Sequence, residues 1–167
     1  MVGKLELLLF FLQLWHVAMP NKTLEAVSHP IQQEIPFDSS SESNFPIQIG
    51  NKFYHIGINS KVNWYQAAHN CRKLGGNLLN IESSKEMDAI LSQIPQDRYW
   101  ISANCLARDR DFTSITTGEP MPFFRWHKGE PNNVHATEYC VEIKRTALND
   151  EICVNKFNYI CEAKIMY

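Results

Sequence analysis

Five cysteines, Cys71, Cys105, Cys140, Cys153 and Cys161, constrain this chain more than any other feature, and the compartment decides what they can do. Residues 1–17 read MVGKLELLLFFLQLWHV, a single lysine followed by a run dominated by Leu and Phe. The apolar stretch is about a dozen residues long, short of the ~20 that cross a bilayer as a helix. A short apolar core followed by polar sequence is the pattern of a secretory signal peptide, expected over residues 1–20. A secreted, extracellular chain meets an oxidising environment, where disulfides are the default. Five is odd, so at least one cysteine is unpaired or pairs outside the chain. Bridging Cys140 to Cys153 would close a short loop, and bridging Cys71 to Cys161 a long one, worth roughly 3 and roughly 4 to 5 kcal/mol in the chain-entropy model. Spacing alone leaves other pairings open. With those pairs made, Cys105 is either a buried free thiol or the bridge of a homodimer.

Beyond residue 20 no apolar run is long enough to cross a membrane, and the final EAKIMY carries no anchor signal, so membrane insertion is not expected. Residues 21–44 are polar, with Pro30, Pro36 and the cluster Asp38-Ser39-Ser40-Ser41-Glu42-Ser43. So little apolar side chain does not offset the entropy of ordering, and a flexible leader is expected. Asn21-Lys22-Thr23 is the one Asn-X-Ser/Thr sequon and permits glycosylation at Asn21. The folded domain is expected over residues 45–164, enough for one modest core that disulfides would help. Sixteen Lys and Arg against eighteen Asp and Glu give a net charge of −2, which leaves no basic field for phosphate backbones and argues against nucleic acid as a partner.

Two helices are expected early in the domain. Asn63 is placed to cap the first, with Gln66 three positions on; Trp64, Ala67, Ala68, Cys71 and Leu74 then recur at helical spacing until Gly75-Gly76. Ser83 is placed to cap the second, with Glu86 three positions on, and Met87, Ile90, Leu91 and Ile94 form one stripe before Pro95. Both stripes read as core. After Pro95 short β-prone pieces alternate with polar loops, at residues 99–102, 123–126, 139–144 and 157–162, and a further strand is expected at 53–58. The stretch 107–122 reads as loop. Helices first and short strands later make an α+β fold, without internal repeats.

The chemistry gathers in residues 126–153, WHKGEPNNVHATEYCVEIKRTALNDEIC. Glu130, Asn132, Glu138, Asn149 and Asp150 bring three carboxylates and two amides into one segment flanked by cysteines. Oxygen ligands of this charge suit a hard cation with flexible coordination, which outside the cell is Ca²⁺. Zinc wants His or Cys, and His127 and His135 have no helical metal-binding partner. From composition alone, five polar residues on a solvated loop are the simpler account.

The order of motifs changes that balance. Trp126-His127-Lys128-Gly129-Glu130-Pro131-Asn132 resembles the W-x-x-G-E-P-N motif of C-type lectin domains, and Asn149-Asp150 stand where that family has W-N-D. Trp64, Tyr65, Ala67, Cys71, Gly75, Gly76 and Leu78 resemble its first-helix signature, Trp100-Ile101-Ser102 its W-I-G strand, and Tyr159-Ile160-Cys161-Glu162 its last strand. The resemblance covers residues 45–162 and is greatest to small secreted lectins of insects. It implies a C-type lectin-like fold in its short form, with Cys71 paired to Cys161 and Cys140 to Cys153. It also implies a cis peptide before Pro131 and one principal Ca²⁺ held by Glu130, Asn132, Glu138, Asn149 and Asp150. Two vicinal sugar hydroxyls would complete the shell, each also hydrogen-bonding a carboxylate and an amide, Glu130 with Asn132 and Glu138 with Asn149. In the family Glu-Pro-Asn accompanies mannose, fucose and N-acetylglucosamine, and Gln-Pro-Asp accompanies galactose.

Several positions depart from the pattern. Leu148 replaces the usual Trp, which is expected to alter packing beneath Asn149 more than ligation. The loop 108–118 lacks the usual aromatic near Thr113 or Ser114. Asn133 and Tyr139 replace acidic residues that hold an auxiliary Ca²⁺ in some relatives, so that site is expected to be absent. The resulting expectation is a secreted, Ca²⁺-dependent lectin for glycans or glycoproteins carrying mannose-type sugars. The alternatives are a C-type lectin-like domain that binds a protein partner, or galactose-type glycans. No G-x-S-x-G, metalloprotease or phosphate-loop signature is present, and an enzyme is not expected.

Overall fold

The computed structural model describes residues 44–164, and the expected signal peptide, the leader up to residue 43 and Asn21 lie outside them. In chain order the elements are β1 (Ile47–Ile49), β2 (Lys52–Val62), α1 (Trp64–Lys73), β3 (Gly76–Leu78), α2 (Ser84–Leu91), β4 (Arg98–Asn104), β5 (Thr113–Ser114), β6 (Cys140–Lys144), β7 (Ala147–Glu151) and β8 (Phe157–Ala163). The strands join in the order β1-β2-β8-β4-β6-β7, with β3 added to β8 and β5 to β4. Strands β4 and β8 pair in parallel and the other pairings are antiparallel. This is the α+β arrangement expected. No helix among the described residues is long and apolar enough to cross a membrane.

Both helices begin where their caps predict. Asn63 Oδ1 accepts the Gln66 N–H at 2.8 Å, and Ser83 Oγ accepts the Glu86 N–H at 3.2 Å, each cap worth about 1 kcal/mol. Neither capping box closes reciprocally, because the second partner is used elsewhere. Gln66 donates to Asn70 Oδ1 at 2.8 Å. The Glu86 carboxylate accepts from Lys52, the Tyr54 hydroxyl and the Glu82 N–H, which fastens α2 to β2. Gly75 takes φ 91° at the end of α1, and a Cβ on Gly76 would stand 2.3 Å from the Glu162 carbonyl, so glycine permits β3 to lie against β8.

Alternation along the central strands divides the core in two. Tyr99, Ile101, Ala103 and Ile160 join Met87 and Ile90 of α2, together with Val141, Ile143 and Leu148. Trp100, Phe157, Tyr159 and Cys161 join Trp64, Ala67, Ala68 and Cys71 of α1. Trp64 and Trp100 are buried, and each indole N–H finds a carbonyl, of Ile101 at 2.8 Å and of Val62 at 3.0 Å. The disulfides are Cys71–Cys161 and Cys140–Cys153, closing separations of 90 and 13 residues. Cys105 is a free thiol only 2% exposed, and burial raises its pKa. Of the two roles open to it in the sequence, the buried thiol is the one this fold presents; an intermolecular bridge needs a sulfur at the surface.

Three local expectations change. Residues 123–126 are not a strand: the segment meets the outer edge of β7 only at Leu148, where Trp126 makes an isolated bridge. Thr113–Ser114, within the expected loop, forms a short strand on β4. Strand β7 is unexpected because its second half is the polar run Asn149-Asp150-Glu151, which nonetheless lies in register with β6.

Glu162 on β8 lies opposite Tyr54 on β2 and Asn77 on β3. Burial pushes its carboxyl up to about 7, with Lys52 opposing and Glu86 and Glu82 reinforcing the rise. Folded Glu162 thus keeps a proton that unfolded glutamate releases, so its contribution to stability is full below about pH 4.5 and is lost as pH rises through about 7. Glu162→Gln is expected to remove this slope and to gain about 1 to 3 kcal/mol at pH 8. Urea unfolding between pH 5 and 8, with chelator present, measures it; an unchanged slope would contradict the assignment.

Candidate functional site

The five residues singled out by sequence come from two kinds of backbone. Asn149 and Asp150 lie on β7, paired in register with Glu142 and Val141 of β6, and are 5% and 1% exposed. Glu130, Asn132 and Glu138 lie on the irregular segment that returns from β5 to β6. That segment is docked on β7 through two backbone bonds, His127 N–H to Leu148 O at 2.9 Å and Leu148 N–H to Arg125 O at 2.7 Å. Leu148, in place of the usual Trp, is fully buried in the core with Trp126 packed against the same cluster.

The Asp150 carboxylate reaches across and accepts the backbone N–H groups of Asn132 at 3.1 Å and Asn133 at 2.7 Å. The peptide between Glu130 and Pro131 is cis, as the resemblance implied. Further along, the Val134 N–H is shared by Asn132 Oδ1 at 3.0 Å and Glu138 Oε2 at 2.9 Å, while the Glu138 N–H donates to Asn133 Oδ1 at 3.0 Å. Asn133 holds φ 46° and also donates to Asp109 Oδ1 at 3.1 Å. Side-chain oxygens thus satisfy the N–H groups of a turn that makes few regular backbone bonds.

Crowded carboxylates are the main electrostatic feature. Burial, the adjoining Asp150 and the charge of Glu138 raise the Glu130 pKa above its ordinary value. Glu130 Oε2 is buried and has no hydrogen-bond partner. Burial also raises Glu138; the Val134 N–H opposes the rise and Asp150 adds to it. A hard cation suits this donor set, since it would satisfy the orphaned Glu130 oxygen and relieve the like-charge repulsion. The approach is incomplete in one respect: among the described residues no three Asp, Glu, His or Cys side chains converge into one metal-holding group. Glu130 adjoins Asp150, and Asn132 and Glu138 meet at the Val134 N–H. Asn149 joins Glu130 in lining a cavity of about 150 Å³, together with His127, Lys144 and Arg145. A larger cavity, about 240 Å³, lies at Lys52, Tyr54, Glu82 and Glu86 and shares none of these residues.

This fold and this loop define a class of protein. Residues 60–163 match the family model described as the lectin C-type domain. The chain belongs to the C-type lectin domain family, and it is of insect type. It is similar to C-type lectin 37Db of Drosophila melanogaster, 35% identical over 134 residues that cover 77% of this chain and 89% of that protein. C-type lectin 37Da of the same species is 30% identical over 148 residues, covering 80% and 79%. Among solved structures, the C-type lectin domain of murine dendritic cell inhibitory receptor 2, in complex with an N-glycan, superposes with a TM-score of 0.66 at 29% identity, covering 73% of this chain and 97% of that one.

Sequence reasoning missed the support beneath the site. Glu142, fully buried opposite Asn149, accepts the Asn149 amide at 3.2 Å. Its carboxylate also takes Arg98 in a two-pronged ion pair, one prong at 2.7 Å, and Arg98 bridges on to Glu151 while lying 3.8 Å from the centre of the Phe157 ring. Burial drives the Glu142 carboxyl up against the pull of Arg98. No motif marks Glu142 in the sequence; the β6–β7 register and the Arg98 ion pair reveal its place.

Glu142→Ala leaves the part-exposed Arg98 guanidinium with Glu151 as its remaining acidic partner and the Asn149 amide short of one acceptor, and is expected to cost about 1 to 3 kcal/mol. Removing Arg98 and Glu142 together, as Arg98→Met with Glu142→Leu, is expected to cost less than the sum of the single changes. Denaturant unfolding of the four chains gives the coupling, and strict additivity would show that the pair does not act as a unit.

Proposed function

We propose that this chain is a secreted, Ca²⁺-dependent lectin that recognises mannose-type sugars (mannose, fucose and N-acetylglucosamine) through vicinal hydroxyls at one principal cation. The observation that carries the reading is the buried, unpartnered Glu130 oxygen beside Asp150, within a set of five oxygen donors of the right hardness and charge. Glu130, Asn132, Glu138, Asn149 and Asp150 would hold the ion; when bound, it supplies two further coordination positions to a diol. The protein's own part is to order donors and acceptors. Glu130 and Glu138 offer carboxylate acceptors, Asn132 and Asn149 offer amide donors, and Asp150 fixes the Asn132–Asn133 backbone to the sheet. The Asn149 amide is engaged with Glu142 in this structure, so sugar binding would share or exchange that bond.

Several further observations support parts of this reading. The Glu-Pro-Asn sequence is the family's mannose-type pattern, and one similar structure holds an N-glycan. Asn133 and Tyr139 are occupied in turn-forming hydrogen bonds and bring no charge, which favours a single cation. Secretion is supported by the N-terminal apolar run and by two disulfides.

Binding to mannose, fucose or N-acetylglucosamine on a glycan array is expected with millimolar Ca²⁺ and is expected to vanish with EDTA; binding indifferent to chelator would overturn the cation's role. Exchanging donor and acceptor by Glu130→Gln with Asn132→Asp is expected to move the preference toward galactose, read on the same array. Because the Glu130 and Glu138 carboxyls hold protons more tightly than ordinary glutamates, protons compete with the cation as pH falls. Ca²⁺ affinity measured by calorimetry is therefore expected to drop at least several-fold between neutral pH and about pH 5.

A further inference from the structure

The two amides of the candidate site are in opposite states. Asn149 Nδ2 donates to Glu142 Oε1 at 3.2 Å and to the Asp150 carbonyl at 2.5 Å, so both of its hydrogens are engaged inside the fold. That geometry turns the Asn149 oxygen away from Glu142, which suits it as an oxygen ligand. Asn132 is arranged the other way. Its Oδ1 accepts the Val134 N–H, and its Nδ2 has no hydrogen-bond partner among the described residues. A sugar hydroxyl that approaches Asn132 meets a free donor, and one that approaches Asn149 meets a donor already taken.

The residue that takes it is out of a ligand's reach. Glu142 stands directly opposite Asn149 across β6 and β7 and is fully buried. A carboxylate is a stronger acceptor than a hydroxyl, so handing the amide from Glu142 to a sugar is opposed. Arg98 keeps the exchange possible. It donates to both Glu142 oxygens, Nε to Oε2 at 2.7 Å and Nη2 to the same Oε1 that accepts the Asn149 amide. When the amide leaves, Glu142 is still paired, and no buried carboxylate is stranded.

We propose that Glu142 is an internal competitor for the Asn149 amide and, as a positioning residue behind the site, sets how tightly a sugar is held. In the free protein the amide rests on Glu142; the hydroxyl at the Glu138–Asn149 half has to draw it away, and the apparent affinity is lowered by that hold. The hydroxyl at the Glu130–Asn132 half meets no such competition, so the two halves of the diol site are unequal. This inference rests on the proposed lectin function and names the residue that regulates that site from beneath.

Calorimetric titration of methyl mannoside in saturating Ca²⁺ tests it on three chains: the wild type, Glu142→Gln, and Arg98→Met with Glu142→Leu. A neutral glutamine holds the amide less firmly than a carboxylate, and leucine does not hold it at all. Affinity is therefore expected to rise in that order, by about two- to tenfold in the double variant, the worth of one hydrogen bond. Denaturant unfolding of the same chains is expected to show stability falling. A role confined to holding the fold lowers both quantities, so opposite signs separate competition from support. In amide-edited NMR of the wild type, the Asn149 side-chain signals are expected to shift as mannoside binds. Affinity unchanged or lowered in Glu142→Gln would overturn the competition, as would Asn149 signals that do not respond to bound sugar. Should the double variant fail to fold, Glu142→Gln decides alone. Absence of mannoside binding by the wild type and Glu142→Gln in saturating Ca²⁺ would overturn the lectin reading, and the competition with it.

Discussion

The Asp150 carboxylate, 1% exposed on β7, accepts two consecutive backbone N–H groups from Asn132 and Asn133, and the candidate site depends on that tether. The loop it holds has only short-range backbone bonds of its own, such as Ala136 N–H to Asn133 O at 2.8 Å, and its Val134 N–H goes to the side chains of Asn132 and Glu138. An irregular loop is thereby fixed to a strand paired along its whole length with β6, and to a hairpin whose ends are closed by Cys140–Cys153. Charged-group hydrogen bonds of this kind contribute about 1.5 to 3 kcal/mol each when buried, enough to order a short turn.

The same arrangement concentrates negative charge. Glu130 and Glu138 are both raised in pKa by burial and by carboxylate neighbours, and one Glu130 oxygen has no partner at all. A site built for packing alone has no reason to hold acids together in this way. Beneath it, the second acidic group is neutralised from within: Arg98 links Glu142 and Glu151, and Glu142 in turn fixes Asn149. The two layers differ in what compensates their charge, a guanidinium below and, on the proposed reading, a divalent cation above.

The helices and the strands β2, β4, β6 and β8 are legible because local signals and tertiary need agree there. The Asn63 and Ser83 caps, the apolar stripes from Trp64 and Met87, and the turn at Gly75 each occur where period and residue type place them. Disagreement arises where a partner elsewhere decides. Residues 123–126 have strand-like composition but meet the edge of β7 at Leu148 alone, and Asn149-Asp150-Glu151 lack β propensity but are recruited by β6. Cys105 had two roles open in the sequence, and the fold buries it within the domain.

Sequence by itself determined the family pattern and the α+β class and named the candidate oxygen donors, because residue type and spacing carry that information directly. Only the tertiary structure decided that Glu142 stands behind Asn149, that Asp150 reaches the Asn132 backbone, and that Lys144 and Arg145 border the same cavity as Glu130. Those are contacts between segments whose distance along the chain says nothing of their distance in space, and a one-residue change in the register of β7 on β6 would have turned Asn149 and Asp150 to the opposite faces.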